Sequence, residues 1–129
     1  MKNVAILGST GSIGRSSLEV IEKLSHRFKV IGLAAGRNTQ LLEQQIEKFR
    51  PKIVSLGGKE EALEFRRRLK GKSIEITFAQ EGAEQVARFD ENDIVVSAIP
   101  GIAGLSPTLA AIEAGKKVAL ANKESMVVA

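Results

Sequence analysis

Apolar positions along the chain fall into short, nearly continuous runs, separated by segments where they recur at helical spacing. Val4, Ala5, Ile6 and Leu7 form the first run, and residues 28–35, 53–56 and 94–99 form three more. Continuous rather than alternating runs are what strands covered on both faces require. Ile13, Ser17, Val20, Ile21 and Leu24 make one face of a first helix. Leu42, Ile46 and Phe49 make another, with Asn38 or Thr39 as its cap and Pro51 enforcing its stop. Ala62, Phe65 and Leu69 line a third helix that ends at Gly71. Ile74, Ile76 and Phe78 alternate with Glu75 and Thr77, which predicts a half-exposed strand. A short helix over 83–88 leads into the run at 94–99. Ser106 and Pro107 read as an N-cap and first-turn pair, Gly115 as the matching stop, and 118–121 as a last strand. Residues 126–129 read as the first turn of a further helix. This alternation, with no linker or repeat, predicts one doubly wound, Rossmann-like α/β domain over residues 1–129. Its sheet is mostly parallel with helices on both faces, because right-handed crossovers place them there.

The first strand breaks into Gly8-Ser9-Thr10-Gly11-Ser12-Ile13-Gly14, with glycines three residues apart. An apolar strand, a glycine-rich turn and a helix start are the parts of a dinucleotide-phosphate cradle. Gly8 permits the tight turn, Gly11 lets the backbone approach a pyrophosphate, and Gly14 lets the helix pack closely on the strand. The helix beginning near Ser12 then aims unpaired N–H groups and its positive dipole end at the phosphates.

In such folds the loop after the second strand meets the adenine ribose. An acidic residue there accepts from the 2′-hydroxyl of NAD, and a basic one accommodates the 2′-phosphate of NADP. The loop reads Ala34-Ala35-Gly36-Arg37-Asn38-Thr39 and carries no acidic residue. Arg37 offers a planar fork for phosphate, with Asn38 and Thr39 as neutral neighbours at a helix start. NADPH is therefore favoured over NADH.

Composition narrows the remaining choices. The 129 residues are 43% hydrophobic, enough for a packed core. There is no Cys, which rules out a disulfide framework, a thiolate metal site and a cysteine nucleophile of the semialdehyde-dehydrogenase kind. There is no Tyr, which rules out the Tyr-x-x-x-Lys pair of short-chain dehydrogenases. No apolar run approaches the roughly 20 residues that cross a membrane, and Met1-Lys2-Asn3 leads straight into a strand, so a soluble cytoplasmic protein without a leader is expected. Net charge is +4, but with no Trp or Tyr to stack bases no nucleic-acid partner is expected. Arg66, Arg67 and Arg68 follow Glu60, Glu61 and Glu64, the mixed charge of a solvated helix face.

Hydride chemistry needs a polarising group, and candidates are sparse. His26, the single histidine, falls near the end of the first helix, where a structural role is expected. Asp90, Glu91 and Asp93 precede a strand at its amino end, opposite the ligand edge. Ser97 to Gly104 ends the fifth strand in small residues that fit either a tight turn or close approach to a flat nicotinamide ring. Asn122-Lys123-Glu124-Ser125 follows the last strand and gathers an amide, an ammonium and a carboxylate.

Taken together, Leu7-Gly8-Ser9-Thr10-Gly11-Ser12-Ile13-Gly14, Ala35-Gly36-Arg37-Asn38 and the long block from Ala98 to Ser125 resemble the 1-deoxy-D-xylulose 5-phosphate reductoisomerases. The resemblance covers the whole chain. It implies a reaction in which 1-deoxyxylulose 5-phosphate is rearranged and reduced with NADPH to 2-C-methylerythritol 4-phosphate, an early step of non-mevalonate isoprenoid synthesis. By that resemblance Thr10, Gly11, Ser12 and Ile13 hold the pyrophosphate region, and Gly36, Arg37 and Asn38 hold the 2′-phosphate and adenosine end. Asn122 and Glu124 contact the cofactor, and Lys123 reaches the sugar phosphate. Arg37 stands where many members have Lys. The family's divalent metal, Mg or Mn, is held by acidic residues beyond the Asn122–Ser125 block, so no metal ligand or catalytic residue is expected within the chain. The resemblance further implies a fragment, monomeric by itself and inactive, of an enzyme that is a homodimer at full length. A free-standing NADPH-sensing module without chemistry is the alternative from another class, and the Asn122–Ser125 block argues against it.

Overall fold

In a computed structural model of the chain, residues 1–121 and 126–128 are described, with side chains for 1–121. Strands β1 (Lys2–Leu7), β2 (Phe28–Ala34), β3 (Ile53–Leu56), β4 (Glu75–Phe78), β5 (Ile94–Ser97) and β6 (Lys117–Ala121) run parallel to their neighbours, and β7 (Met126–Val128) is antiparallel to β6. Their order across the sheet is β4-β3-β2-β1-β5-β6-β7. The chain therefore moves outward from β1 to β4, then crosses back to the other side of β1. That reversal is the topological switch point at which doubly wound sheets hold ligands.

Five helices connect the strands: α1 (Ser12–Lys23), α2 (Thr39–Phe49), α3 (Lys59–Arg68), α4 (Ala79–Ala87) and α5 (Leu105–Glu113). Right-handed crossovers put α1, α2 and α3 on one face and α4 and α5 on the other. Two cores follow. On one face Val4, Ile6, Val30 and Val54 pack with Leu18, Leu42, Ile46 and Phe65. On the other Ala5, Leu7, Ile53 and Val95 pack with Val86, Ala87 and Ala111. Adjacent residues of β1 thus feed opposite cores, which is why that run carries no polar position.

The structure departs from the sequence reading in the start of α4, at Ala79 rather than 83, and at four further places. Thr77 is buried, not exposed, because α4 lies over that face of β4; its hydroxyl donates to the Val54 carbonyl at 2.8 Å. Ser106 lies inside α5, because a 3-10 turn over Gly101–Gly104 starts the helix early, and Ser106 Oγ donates to the Glu84 carboxylate instead of capping. Residues 126–128 extend the sheet as β7 and are not helical. Arg66 is more than surface charge, since its guanidinium donates to the Ile76 carbonyl at 2.7 Å and ties α3 to β4. The expected stops hold: α2 ends before Pro51, with Arg50 in the left-handed region at φ 50°, and α5 ends before Gly115 at φ 78°.

One stretch of sheet is left open. On the α1 side no helix among the described residues covers β5 and β6, and Ile94, Val96 and Ala119 floor a groove of about 560 Å³ against Val20 and Ile21 of α1.

Candidate functional site

The turn out of β1 is set by backbone geometry. The N–H groups of Gly8 and Ser9 both donate to the Ala34 carbonyl, at 2.8 and 3.0 Å, so the chain bends over the end of β2. Gly8 sits at φ 84°, and a Cβ there would lie 2.7 Å from the Ala98 carbonyl oxygen on β5's exit. Gly14 is buried in the first turn of α1, where a Cβ would overlap the Gly8 carbonyl. Both glycines are required by the fold. Gly11 is different: its φ is −77°, and a Cβ would meet nothing closer than 3.7 Å. Neither the turn nor the packing asks for glycine there, and the bare backbone faces solvent.

Helix α1 starts at that point with no side-chain cap. The first bond into it is Arg15 N–H to Gly11 carbonyl at 2.9 Å, so Ser12, Ile13 and Gly14 present amides that lack an intrahelical acceptor. Gly11 and Ser12 are exposed, with Thr10 and Ile13 half-buried beside them. Outward amides, the positive end of the helix dipole and a backbone with no Cβ together favour an anion.

The neighbouring loop leaves β2 at the same edge of the sheet. Ala35 N–H donates to the Ser55 carbonyl at 2.9 Å, and Gly57 N–H donates to the Gly36 carbonyl at 3.0 Å, so the exit of β3 braces this loop. Gly36, Arg37 and Asn38 are exposed. Asn38 Oδ1 accepts from Leu41 N–H at 3.1 Å and caps α2, which settles the choice between Asn38 and Thr39. The Arg37 guanidinium has no ion-pair partner among the described residues.

The two loops are joined by a residue that the apolar pattern passes over. Gln45 lies on the inward face of α2 beside Leu42 and Ile46, 6% exposed, and its Nε2 donates to the Ser9 carbonyl at 2.8 Å. The readable signal was a polar residue interrupting the Leu42–Ile46–Phe49 stripe.

Other candidates have local explanations. Gly104 is crowded by the Ile99 carbonyl, and the Ser97 and Thr108 hydroxyls are hydrogen-bonded at 2.6 Å, so Ser97 to Gly104 is at least a tight turn anchored to α5. Asp93 accepts from Asn3 N–H at 2.8 Å and Glu91 pairs with Lys52, both at the amino edge of the sheet. His26 is exposed in the turn after α1. Among the described residues no three His, Asp or Glu side chains come together as metal donors, so these residues do not form a site for the divalent ion.

Residues 4–129 match the family model described as 1-deoxy-D-xylulose 5-phosphate reductoisomerase. The chain belongs to that family. A reductoisomerase of Geobacter sp. is 53% identical and one of Pelotomaculum thermopropionicum 49% identical, each alignment covering all of this chain and 34% of the relative. Among solved structures, the reductoisomerase from Zymomonas mobilis in complex with NADPH superposes with a TM-score of 0.85 at 39% identity, over 96% of this chain and 32% of that one. A reductoisomerase in complex with NADPH, fosmidomycin and magnesium gives 0.89 at 35% identity, over 97% and 31%. The chain thus spans about a third of the length of the reductoisomerases it matches. The doubly wound fold is theirs as well. Asn122, Lys123 and Glu124 lie outside the described residues, with Ser125.

Proposed function

We propose that this chain is the NADPH-binding domain of a 1-deoxy-D-xylulose 5-phosphate reductoisomerase. The observation that carries the reading is the placement, at one edge of the sheet, of an uncapped helix start behind Gly11 and an exposed Arg37 that pairs with no acid among the described residues. The two meet the ends of one molecule: the free amides of Ser12 and Ile13, beside Thr10 and the bare Gly11 backbone, for the pyrophosphate, and the guanidinium fork for the 2′-phosphate. Gly36 lets the adenosine end lie close to the backbone. Asn38 keeps its amide nitrogen for the phosphate while its oxygen caps α2. Asn122 and Glu124 complete the cofactor contacts, and Lys123 reaches the sugar phosphate.

NADPH supplies the hydride in the whole enzyme, which isomerises and reduces 1-deoxyxylulose 5-phosphate to 2-C-methylerythritol 4-phosphate with a divalent metal, within isoprenoid synthesis. This chain's part is to hold and orient the cofactor. The whole enzyme is a cytoplasmic homodimer. The chain alone is a monomer that binds NADPH and turns over nothing. The titration that tests the reading follows NADPH and NADH fluorescence on the purified chain. Charge-assisted contacts to the 2′-phosphate make NADPH bind at least about tenfold tighter; equal affinities sink the reading. Metal-dependent NADPH oxidation by the chain with the sugar phosphate would overturn its inactivity.

A further inference from the structure

We propose that Gln45 is a positioning residue for the cofactor, the tether that holds the pyrophosphate loop in register with the 2′-phosphate loop. The inference rests on the NADPH reading above. Its starting point is a buried amide where a hydrophobic residue would serve the fold better. Position 45 faces the core between Leu42 and Ile46, and the Gln45 side chain reaches out of α2 to one acceptor, the Ser9 carbonyl. Gln45 Oε1 and Ser9 Oγ are both buried and have no hydrogen-bond partner among the described residues. Orphaned buried oxygens lower stability. A leucine at 45 would bury apolar surface on the same stripe and leave no orphan amide.

What leucine cannot do is hold Ser9. Ser9 stands between Gly8, whose turn is pinned to Ala34 and Ala98, and Gly11, which faces the solvent edge. Helix α2 is capped by Asn38, the residue after Arg37. The Gln45 bond therefore runs from the helix that ends in one loop to the backbone of the other. A dinucleotide spans both loops at once, so its affinity depends on their relative placement; a ligand that touches one loop does not. Besides this bond, the Gly8 and Ser9 amides on the Ala34 carbonyl tie the first loop to the end of β2, whereas the Gln45 bond ties it to α2, whose start carries the second loop.

The test uses Gln45→Met, which keeps shape and loses the donor, and Gln45→Glu, which keeps shape and places an acceptor against a carbonyl. Each is checked by circular dichroism and melting, then titrated with NADPH, NADH and adenosine 2′-monophosphate, which meets the 36–38 loop alone. Expected for both variants is an NADPH affinity lower by about fivefold or more and a narrowed NADPH-to-NADH ratio, with 2′-monophosphate affinity held within about twofold. A merely structural bond would lower melting and leave the ratio unmoved, and that result overturns the proposal. Should neither variant fold, the unaltered chain still decides. Adenosine 2′-monophosphate, touching only 36–38, then slows amide exchange at residues 9–11 through the tether; no slowing there overturns it. A wild-type chain with no preference for NADPH defeats the parent reading instead, and this one with it.

Discussion

The three glycines of the first loop look alike in sequence and differ in what they are for. Gly14→Ala would drive a methyl into the Gly8 carbonyl, a backbone clash that repacking cannot relieve, and is expected to cost at least about 2 kcal/mol in denaturant unfolding. Gly11→Ala meets open space and keeps an allowed φ, so the fold should lose no more than about 1 kcal/mol as a poorer helix cap. NADPH titration of the same variant should nevertheless show binding weakened by about tenfold if, as proposed above, the pyrophosphate approaches the backbone at this position. Equal stability losses at the two positions would count against the assignment. At the second loop, Arg37→Asp exchanges a phosphate fork for a ribose acceptor and should erode or invert the preference for NADPH over NADH, read in the same titration.

Helix α2 carries both a loop and a tether, and its cap permits the two duties to be separated. Asn38→Ala removes the Leu41 acceptor and should lower stability by about 1 kcal/mol. Asn38→Asp keeps the acceptor, so melting should hold, while the added negative charge beside a bound 2′-phosphate weakens NADPH several-fold more than NADH. At this scale most of the architecture was readable: Val4–Leu7 of β1 and Ile53–Leu56 of β3 are short, nearly continuous apolar runs bounded by turn residues, as strands covered on both faces require. The misreadings come from neighbouring elements that the local pattern does not show. Thr77 alternates like an exposed residue, but α4 arrives from later in the chain and covers it. Ser106-Pro107 is a good helix start on local grounds, yet the turn at 101–104 had already begun the spiral. Gln45 lies outside the apolar pattern altogether, and its burial follows from the bond its amide makes to the Ser9 carbonyl of the loop after β1.

For the molecule as a whole, the loops of the site were legible because they occur at strand exits, where topology alone aligns Gly8 to Gly14 with Gly36 to Asn38. The open groove beside α1 was not, since no local pattern marks a stretch of sheet that the described helices leave uncovered. Its lining is almost wholly apolar, and a hydrophobic dye such as anilinonaphthalene sulfonate should bind there and fluoresce. Val20, 57% exposed on its rim, can be changed to Lys with melting nearly unaltered and the dye signal much reduced. The strand order has a kinetic consequence as well. Val4 pairs with Val30 on one side and with Ile94 on the other. Strands β1 to β4 can assemble through near-neighbour contacts, but β1 gains its second partner only when the distant β5 returns, a slow loop closure. Because the Gly8 turn leans on Ala98, the phosphate seat takes its final form at that late step. A chain still emerging from synthesis has its half-sheet before it has anywhere to put a cofactor.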